Sequence, residues 1–216
     1  MTVTIQAADM IGIHDKEKDT MKKLGLVGGM GPESTIPYYH DIVYGVQKAV
    51  GKAYFPNLSI ESIDVFEVLR LCREEQFPVL TEYLLRAVCN LKAGGAEIAA
   101  LSANTPHIVF DELQKRSPLP LISIVDAACL EAQKRKYTKL GLLGTIFTMT
   151  KTFFKDPFIS AGIDIAIPQE AEVKIIDEKV SKELELGIVK EETRRILLGI
   201  IKRMKKEDGI QAVILG

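Results

Sequence analysis

The segment most able to do chemistry is Gly28-Gly-Met-Gly-Pro-Glu-Ser-Thr35, which follows the apolar run at 24–27 and precedes a helical pattern. Glycines let backbone N–H groups approach an anion closely, and a helix N-terminus favours negative charge. The segment is therefore a candidate cradle for a carboxylate or a phosphate, with Gly29 and Met30 facing the ligand. A tight turn without a ligand is the alternative.

A dinucleotide-binding loop is another interpretation of the same glycines. In the spacing from Gly29 through Gly31 to Ser34, a serine stands where the third glycine of the fingerprint belongs. No acidic residue ends the next predicted strand at the usual distance of about 20 residues. The fingerprint fits badly, so a nicotinamide-dependent enzyme is the third of three hypotheses.

The segment Ser102-Ala-Asn-Thr-Pro-His107 lies at a second strand-to-helix junction. Asn104 and Thr105 supply short polar groups there, and helix capping alone accounts for only one of them. Both are therefore candidate ligand-binding residues. His107 falls in the first helical turn, where packing or support of its neighbours is favoured over direct ligand contact.

An internal echo extends the candidate site to the second half of the chain. Lys23-Leu-Gly-Leu-Val-Gly-Gly29 returns as Lys139-Leu-Gly-Leu-Leu-Gly-Thr145, and Gly95-Ala-Glu-Ile-Ala-Ala-Leu101 resembles Gly209-Ile-Gln-Ala-Val-Ile-Leu215. By this pseudo-symmetry, Gly144, Thr145 and Thr148 face the same ligand as Gly29 and Met30. A simple helix cap is the alternative for either threonine.

Strands alternating with helices predict an α/β protein of two pseudo-symmetric domains, each a parallel sheet flanked by helices, with the ligand cleft between them. Ser117-Pro-Leu-Pro120 predicts the boundary. The predicted division is a flexible N-terminal extension over 1–21, an N-terminal domain over 22–117 and a C-terminal domain over 118–216. The remaining predicted strands lie at 58–63, 96–101, 121–125, 140–143, 163–167 and 212–215, and the helices at 81–91, 127–135, 148–154, 174–186 and 190–206.

Composition excludes several function classes. The 216 residues carry 28 basic and 29 acidic side chains, a net charge of −1, which provides no electrostatic footprint for nucleic acid or an acidic membrane. Cys72, Cys89 and Cys129 are odd in number and have no metal-binding spacing. Each lies in a helical pattern, which predicts three buried structural thiols in a reduced, cytoplasmic protein.

Taken together, Leu26-Val-Gly-Gly-Met-Gly-Pro-Glu-Ser-Thr35, Ala103-Asn-Thr-Pro-His107 and Leu143-Gly-Thr145 resemble the aspartate/glutamate racemase family, in the family's order. The resemblance implies an isomerase, an amino-acid racemase that uses no cofactor and no metal. It also implies a small carboxylate-bearing amino acid as substrate, and a homodimer. Family members place one cysteine on each face of the substrate: one thiolate removes the α-proton and the other thiol returns a proton.

The sequence departs from the family at both cysteine positions. Ala103 stands at the first, and the second would follow Gly216, so the C-terminal domain looks truncated and no catalytic thiol is present. We expect the complete gene product to carry one cysteine after Gly216. A one-thiol isomerase or decarboxylase of the same superfamily, and a catalytically impaired homologue that only binds its ligand, are the alternatives to a racemase.

Overall fold

The structure, a computed structural model, describes residues 21–51 and 53–216. Residues 1–20 of the predicted N-terminal extension lie outside them. In the described part of the chain, strands alternate with helices in two compact units that divide after Ile124. Every strand pair is parallel, which confirms the predicted α/β class of parallel sheets flanked by helices.

The first unit contains four strands and the two longest helices of the described residues. Its elements are β1 (Leu24–Gly28), α1 (Pro32–Val50), β2 (Leu58–Ser62), α2 (Val65–Arg73), α3 (Phe77–Ala93), β3 (Ile98–Leu101), a 3₁₀ turn (Thr105–Val109), α4 (Phe110–Arg116) and β4 (Leu121–Ile122).

The first sheet has the strand order β2-β1-β3-β4. All five residues of β1 are buried, as expected of a central parallel strand covered on both faces. Strand β4 pairs with β3, where Ala99 lies opposite Leu121. The predicted boundary after residue 117 is therefore too early. The prolines precede the last strand of the first sheet, and the division falls after Ile124.

Helix α2 was not predicted, although its sequence carries the usual signals. Val65, Val68 and Leu69 share its buried face, and the Asp64 carboxylate accepts a hydrogen bond of 2.8 Å from the N–H of Phe66. Helix α3 begins four residues before its predicted start at 81, with proline in its first turn.

The second unit contains three strands in the order β6-β5-β7. Its elements are α5 (Ile124–Lys134), whose first residue belongs to the first unit, β5 (Lys139–Leu143), α6 (Ile146–Thr150), α7 (Lys155–Ser160), β6 (Asp164–Ala166), α8 (Glu170–Lys182), a 3₁₀ turn (Leu184–Leu186), α9 (Glu191–Arg203), a π-helical turn (Met204–Asp208) and β7 (Ala212–Leu215).

The helix predicted over 148–154 ends at Thr150, and a second short helix begins just after the predicted end. Helix α6 begins at Ile146 and ends before Lys151, whose backbone is extended, and α7 begins at Lys155. The break places Phe154 and Phe158 in the core of this unit, where their rings stack with centroids 5.6 Å apart. Burial of each such ring contributes roughly 1.5–3 kcal/mol to stability.

The two helices predicted over 174–186 and 190–206 are both present with shifted ends. Helix α8 begins earlier, at Glu170, because Gln169 and Glu172 form a capping box. Helix α9 is followed by the π-helical turn, which ends at Gly209 in the left-handed conformation (φ 70°).

The sequence echo corresponds to an equivalent register in the two sheets. In the first sheet Leu24 pairs with Ile98, and in the second Leu140 pairs with Ala212. These are the positions that the two echoes equate. The repeated segments therefore form the same parallel strand pair twice, β1 with β3 and β5 with β7.

No helix in the described part of the chain is long and apolar enough to cross a bilayer.

Candidate functional site

The glycine loop after β1 is held by Thr35, in the first turns of α1. The N–H of Gly29 donates to Thr35 Oγ1 over 2.9 Å. The same oxygen lies 3.2 Å from the carbonyl oxygen of Gly31 and 3.2 Å from Ser102 Oγ. Because a hydroxyl has one hydrogen, Ser102 donates to Thr35 whenever Thr35 donates to Gly31. The turn at the end of β1 is thus tied to the end of β3.

Gly29 is required by the turn itself. Its φ is 83°, and a Cβ at this position would lie 2.5 Å from Ser62 Oγ. Its N–H is engaged by Thr35, and the side chain of Met30 is 3% exposed. The geometry accounts for this glycine as a tight turn, and the ligand-facing roles of Gly29 and Met30 stay predictions.

At the end of β3, Ser102 and Ala103 lie in different surroundings. Ser102 is buried against Thr35, and its N–H donates to the carbonyl of Val27 over 2.9 Å. Ala103 and Asn104 are half-buried, and Thr105 is buried at the start of the 3₁₀ turn. The methyl side chain of Ala103 has no acidic proton and no basic atom, so it cannot transfer a proton, as the sequence indicated.

His107 supports this segment from behind. Its Nε2 accepts a hydrogen bond of 3.2 Å from the N–H of Ile124, so this nitrogen is unprotonated and Nδ1–H donates to the Ala103 carbonyl over 2.9 Å. The ring stacks on Phe110, and burial lowers the pKa of His107 to about 4. These contacts confirm the interpretation of His107 as a packing and supporting residue.

The second strand edge brings together Gly144, Thr145, Thr148 and Gly216. The N–H of Gly216 donates to the carbonyl of Leu143, which extends the pairing of β5 with β7. A Cβ on Gly144 would lie 2.8 Å from the Gly216 carbonyl oxygen, so only glycine allows these two backbone segments to approach so closely.

Thr145 is the N-cap of α6, which agrees with the alternative interpretation of this threonine as a simple helix cap. Its Oγ1 accepts from the N–H of Thr148 over 3.3 Å and lies 3.2 Å from Thr148 Oγ1. Both side chains are buried. The structure therefore places these predicted residues together with their hydroxyls adjoining, and their contact with a ligand stays a prediction.

Asp177, on α8, was missed by sequence reasoning. Its Oδ1 accepts a hydrogen bond of 2.7 Å from the N–H of Ile146, the residue directly after Thr145. The two residues are 31 positions apart, so no local motif signals the contact. The carboxylate caps α6 together with Thr145.

None of the three cysteines lies at these strand ends. Cys72 and Cys129 are buried within α2 and α5, and burial raises the pKa of Cys72 to about 11. Both side chains are thus inert structural thiols. Cys89, on α3, is exposed, so the prediction that all three are buried is wrong at this position. The described residues contain no cluster of side chains suited to hold a metal ion.

Comparison with known proteins identifies relatives across nearly the whole described chain. The family model of the Asp/Glu/Hydantoin racemases matches residues 27–216. The broad specificity amino-acid racemase RacX of Bacillus subtilis (strain 168) is 25% identical over 146 residues, or 66% of this chain and 63% of RacX. The match thus spans less than two thirds of that relative's length.

Solved structures give the same result for the fold. A candidate Asp/Glu racemase from Yersinia pestis superposes with a TM-score of 0.80 at 33% identity, covering 91% of this chain and 85% of that one. An aspartate racemase homologue from Pyrococcus horikoshii OT3 gives 0.73 at 34% identity with the same coverage. Picrophilus torridus aspartate racemase, at 18% identity, shares the fold with a TM-score of 0.72 over 89% of this chain and 79% of its own.

Proposed function

Because this chain belongs to the Asp/Glu/Hydantoin racemase family, we propose that it acts on a small amino acid or dicarboxylate by cofactor-independent transfer of the α-proton. The single observation that carries the proposal is the repeated strand pair, β1 with β3 and β5 with β7, each ending in a glycine turn with hydroxyl groups held beside it. The proposed ligand-binding residues are Gly29, Met30, Asn104, Thr105, Gly144, Thr145 and Thr148.

Inversion of an amino acid at the α-carbon requires a base on one face of that carbon and an acid on the other. The α-proton is weakly acidic, so the enolate that forms must be stabilised by oriented donors. Backbone N–H groups and the hydroxyls of Thr105 and Thr145 are the candidate donors. Ala103 leaves one face without a proton-transfer group, so the proposed reaction is one-sided, with water serving that face.

Exchange of the α-proton in deuterated water tests this proposal. The protein is incubated with each enantiomer of aspartate, glutamate and small neutral amino acids, and the α-proton signal is followed by NMR. We expect deuterium to enter one enantiomer faster than inversion occurs. Absence of both exchange and inversion with every amino acid would contradict the proposed transfer of the α-proton.

A ligand-binding homologue is the second candidate, because Ala103 removes the proton-transfer group of one face. It predicts calorimetric binding of L- or D-aspartate or glutamate with no exchange at the α-carbon. A one-thiol decarboxylase of the same superfamily is distinguished by release of carbon dioxide with protonation on one face. Failure of all these ligands to bind would argue against both the ligand-binding homologue and the decarboxylase.

We further propose that the protein is a cytoplasmic homodimer, as the resemblance to the racemases implies. Light scattering coupled to size-exclusion chromatography measures the assembly directly. A mass near twice the 23.9 kDa of one chain is expected. A mass of one chain at micromolar concentration would contradict the dimer.

A further inference from the structure

A cavity lies between α2 and α3 of the first unit, and none of the residues proposed to bind the substrate lines it. Its volume is about 460 Å³, within the usual size range of small-molecule sites. Apolar walls are formed by Leu71 of α2 and by Val79 and Leu85 of α3. Because the Val79 side is half-exposed, the cavity offers a small molecule both an apolar wall and an opening to solvent.

Two acidic side chains line the cavity, and each is paired with an arginine of the protein. Both oxygens of Glu67 accept hydrogen bonds from Arg70, over 2.8 Å and 2.7 Å. Glu82 Oε1 lies 2.6 Å from Nη2 of Arg116. The charge of each carboxylate is therefore balanced within the protein, and the preference of the cavity for a charged ligand depends on the third ionic side chain of its lining.

That third side chain is Arg86 of α3, which has no carboxylate partner in the part of the chain that the structure describes. Its guanidinium lies over the ring of Tyr83, 5.5 Å from the ring centroid. The hydroxyl of Tyr83 accepts a hydrogen bond of 3.1 Å from the N–H of Asp64, which holds the ring in place beneath the guanidinium. The cavity wall thus carries a positioned cation whose charge no described residue balances.

We propose that the cavity between α2 and α3 binds a small carboxylic acid with an apolar body, whose carboxylate pairs with Arg86. A guanidinium presents its N–H groups in a planar fork that matches a carboxylate in a bidentate arrangement. A ligand with one negative charge fits better than one with two, because Glu67 and Glu82 lie in the same lining. The body of this monocarboxylate packs against the apolar walls. The site uses none of the residues proposed to bind the substrate.

The exposed thiol of Cys89 lines the same cavity and reports whether it is occupied. Labelling of the native protein with iodoacetamide is followed by intact mass and located by peptide mapping. One label per chain is expected, because Cys72 and Cys129 are buried. The probes are phenylacetate and phenylacetamide, which share a body and differ in charge. We expect phenylacetate to halve the labelling rate at a concentration at least about tenfold lower, the effect of one charge-assisted hydrogen bond.

Arg86→Gln removes the charge and keeps a polar side chain on the cavity wall. In this variant we expect phenylacetate to protect Cys89 no better than phenylacetamide does. Arg73→Gln is the matched control, because Arg73 is an exposed arginine of α2 that does not line the cavity. It is expected to keep the preference of the unmodified protein for the carboxylate, and loss of that preference in both variants would contradict the role of Arg86.

The unmodified protein alone can overturn the proposal. It fails if phenylacetate does not protect Cys89, or if phenylacetamide or inorganic phosphate protects equally well at the same concentration. Phosphate carries negative charge without an apolar body. Labelling that becomes faster when the protein is diluted would assign the cavity to a contact between two copies of this chain, which also contradicts the proposal. None of these outcomes bears on the proposed transfer of the α-proton, which uses other residues.

Discussion

Thr35 Oγ1 and Ser102 Oγ lie 3.2 Å apart, joining the glycine loop after β1 to the end of β3. The two residues are 67 positions apart in the chain. Thr35 also accepts from Gly29 N–H, so one threonine fixes the loop and connects it to the strand that leads to Ala103. The side chains that hold the proposed carboxylate site in shape are therefore hydroxyls that need not touch the ligand.

Replacement of Thr35 by valine should destabilise the first unit. Valine preserves the shape but leaves the N–H of Gly29 without its acceptor, and an unsatisfied buried donor costs about 1–3 kcal/mol. Urea unfolding followed by circular dichroism measures the loss. Thr35→Ser keeps the hydroxyl and is the control, with a loss expected below about 1 kcal/mol. Equal losses in the two variants would show that the hydroxyl is not responsible.

Gly29 should tolerate alanine much less well than Gly162, although both have positive φ. Their φ values are 83° and 75°, but a Cβ at Gly162 meets nothing within 4 Å, whereas one at Gly29 meets Ser62 and Ile63. Gly162→Ala should cost only the left-handed conformation, about 1–2 kcal/mol. Gly29→Ala should cost about 1–3 kcal/mol more because of the steric overlap. Unfolding free energies from urea titration compare them, and equal costs would contradict the crowded loop.

His107 should make the protein less stable as the pH falls below neutrality. Its pKa is lowered from 6.5 to about 4 in the folded protein, so the unfolded chain binds the proton first. Its contribution is complete above pH 6.5 and is lost as the pH falls towards 4. Between pH 7 and pH 5 this amounts to about 2 kcal/mol.

The matched variant is His107→Gln, which removes the titrating group and keeps a polar side chain. Its free energy of unfolding should be lower than that of the unmodified protein at pH 7 and should change less between pH 7 and pH 5. Urea titrations at the two pH values give this comparison. The same pH dependence in both proteins would assign the acid sensitivity to other groups.

Much of the fold could be predicted because each central strand is a short apolar run that can be recognised in the local sequence. The buried apolar runs of β1, β3, β5 and β7 and the two echoes identified the paired central strands, and Pro32 marked the start of α1. Helix α2 could have been predicted as well, since an N-cap at Asp64 and the spacing of Val65, Val68 and Leu69 are ordinary helix signals.

What could not be predicted depends on contacts between distant residues. The strand at Leu121 belongs to the first sheet because it pairs with Ala99, and nothing near the prolines indicates this partner. The break between α6 and α7 accompanies the packing of Phe154 and Phe158 in the core, which the local sequence does not indicate. The contact of Asp177 with Ile146 likewise joins two helices across 31 residues. At the candidate site, the sequence indicated the strand ends and the supporting role of His107, but not the contact of Thr35 with Ser102 or that of Asp177 with Ile146.

The most direct test of the account restores a thiol at position 103. In Ala103→Cys, a thiolate at the end of β3 should remove the α-proton of one enantiomer of a bound amino acid and return deuterium to the same face. The measurement is α-proton exchange in deuterated water, with Ala103→Ser as the control because a hydroxyl is a far weaker base. The account predicts exchange at least about 100-fold faster in the cysteine variant than in the serine variant, the usual contribution of a positioned general base. Equal rates in the two folded variants would contradict the placement of the proton-transfer position at residue 103.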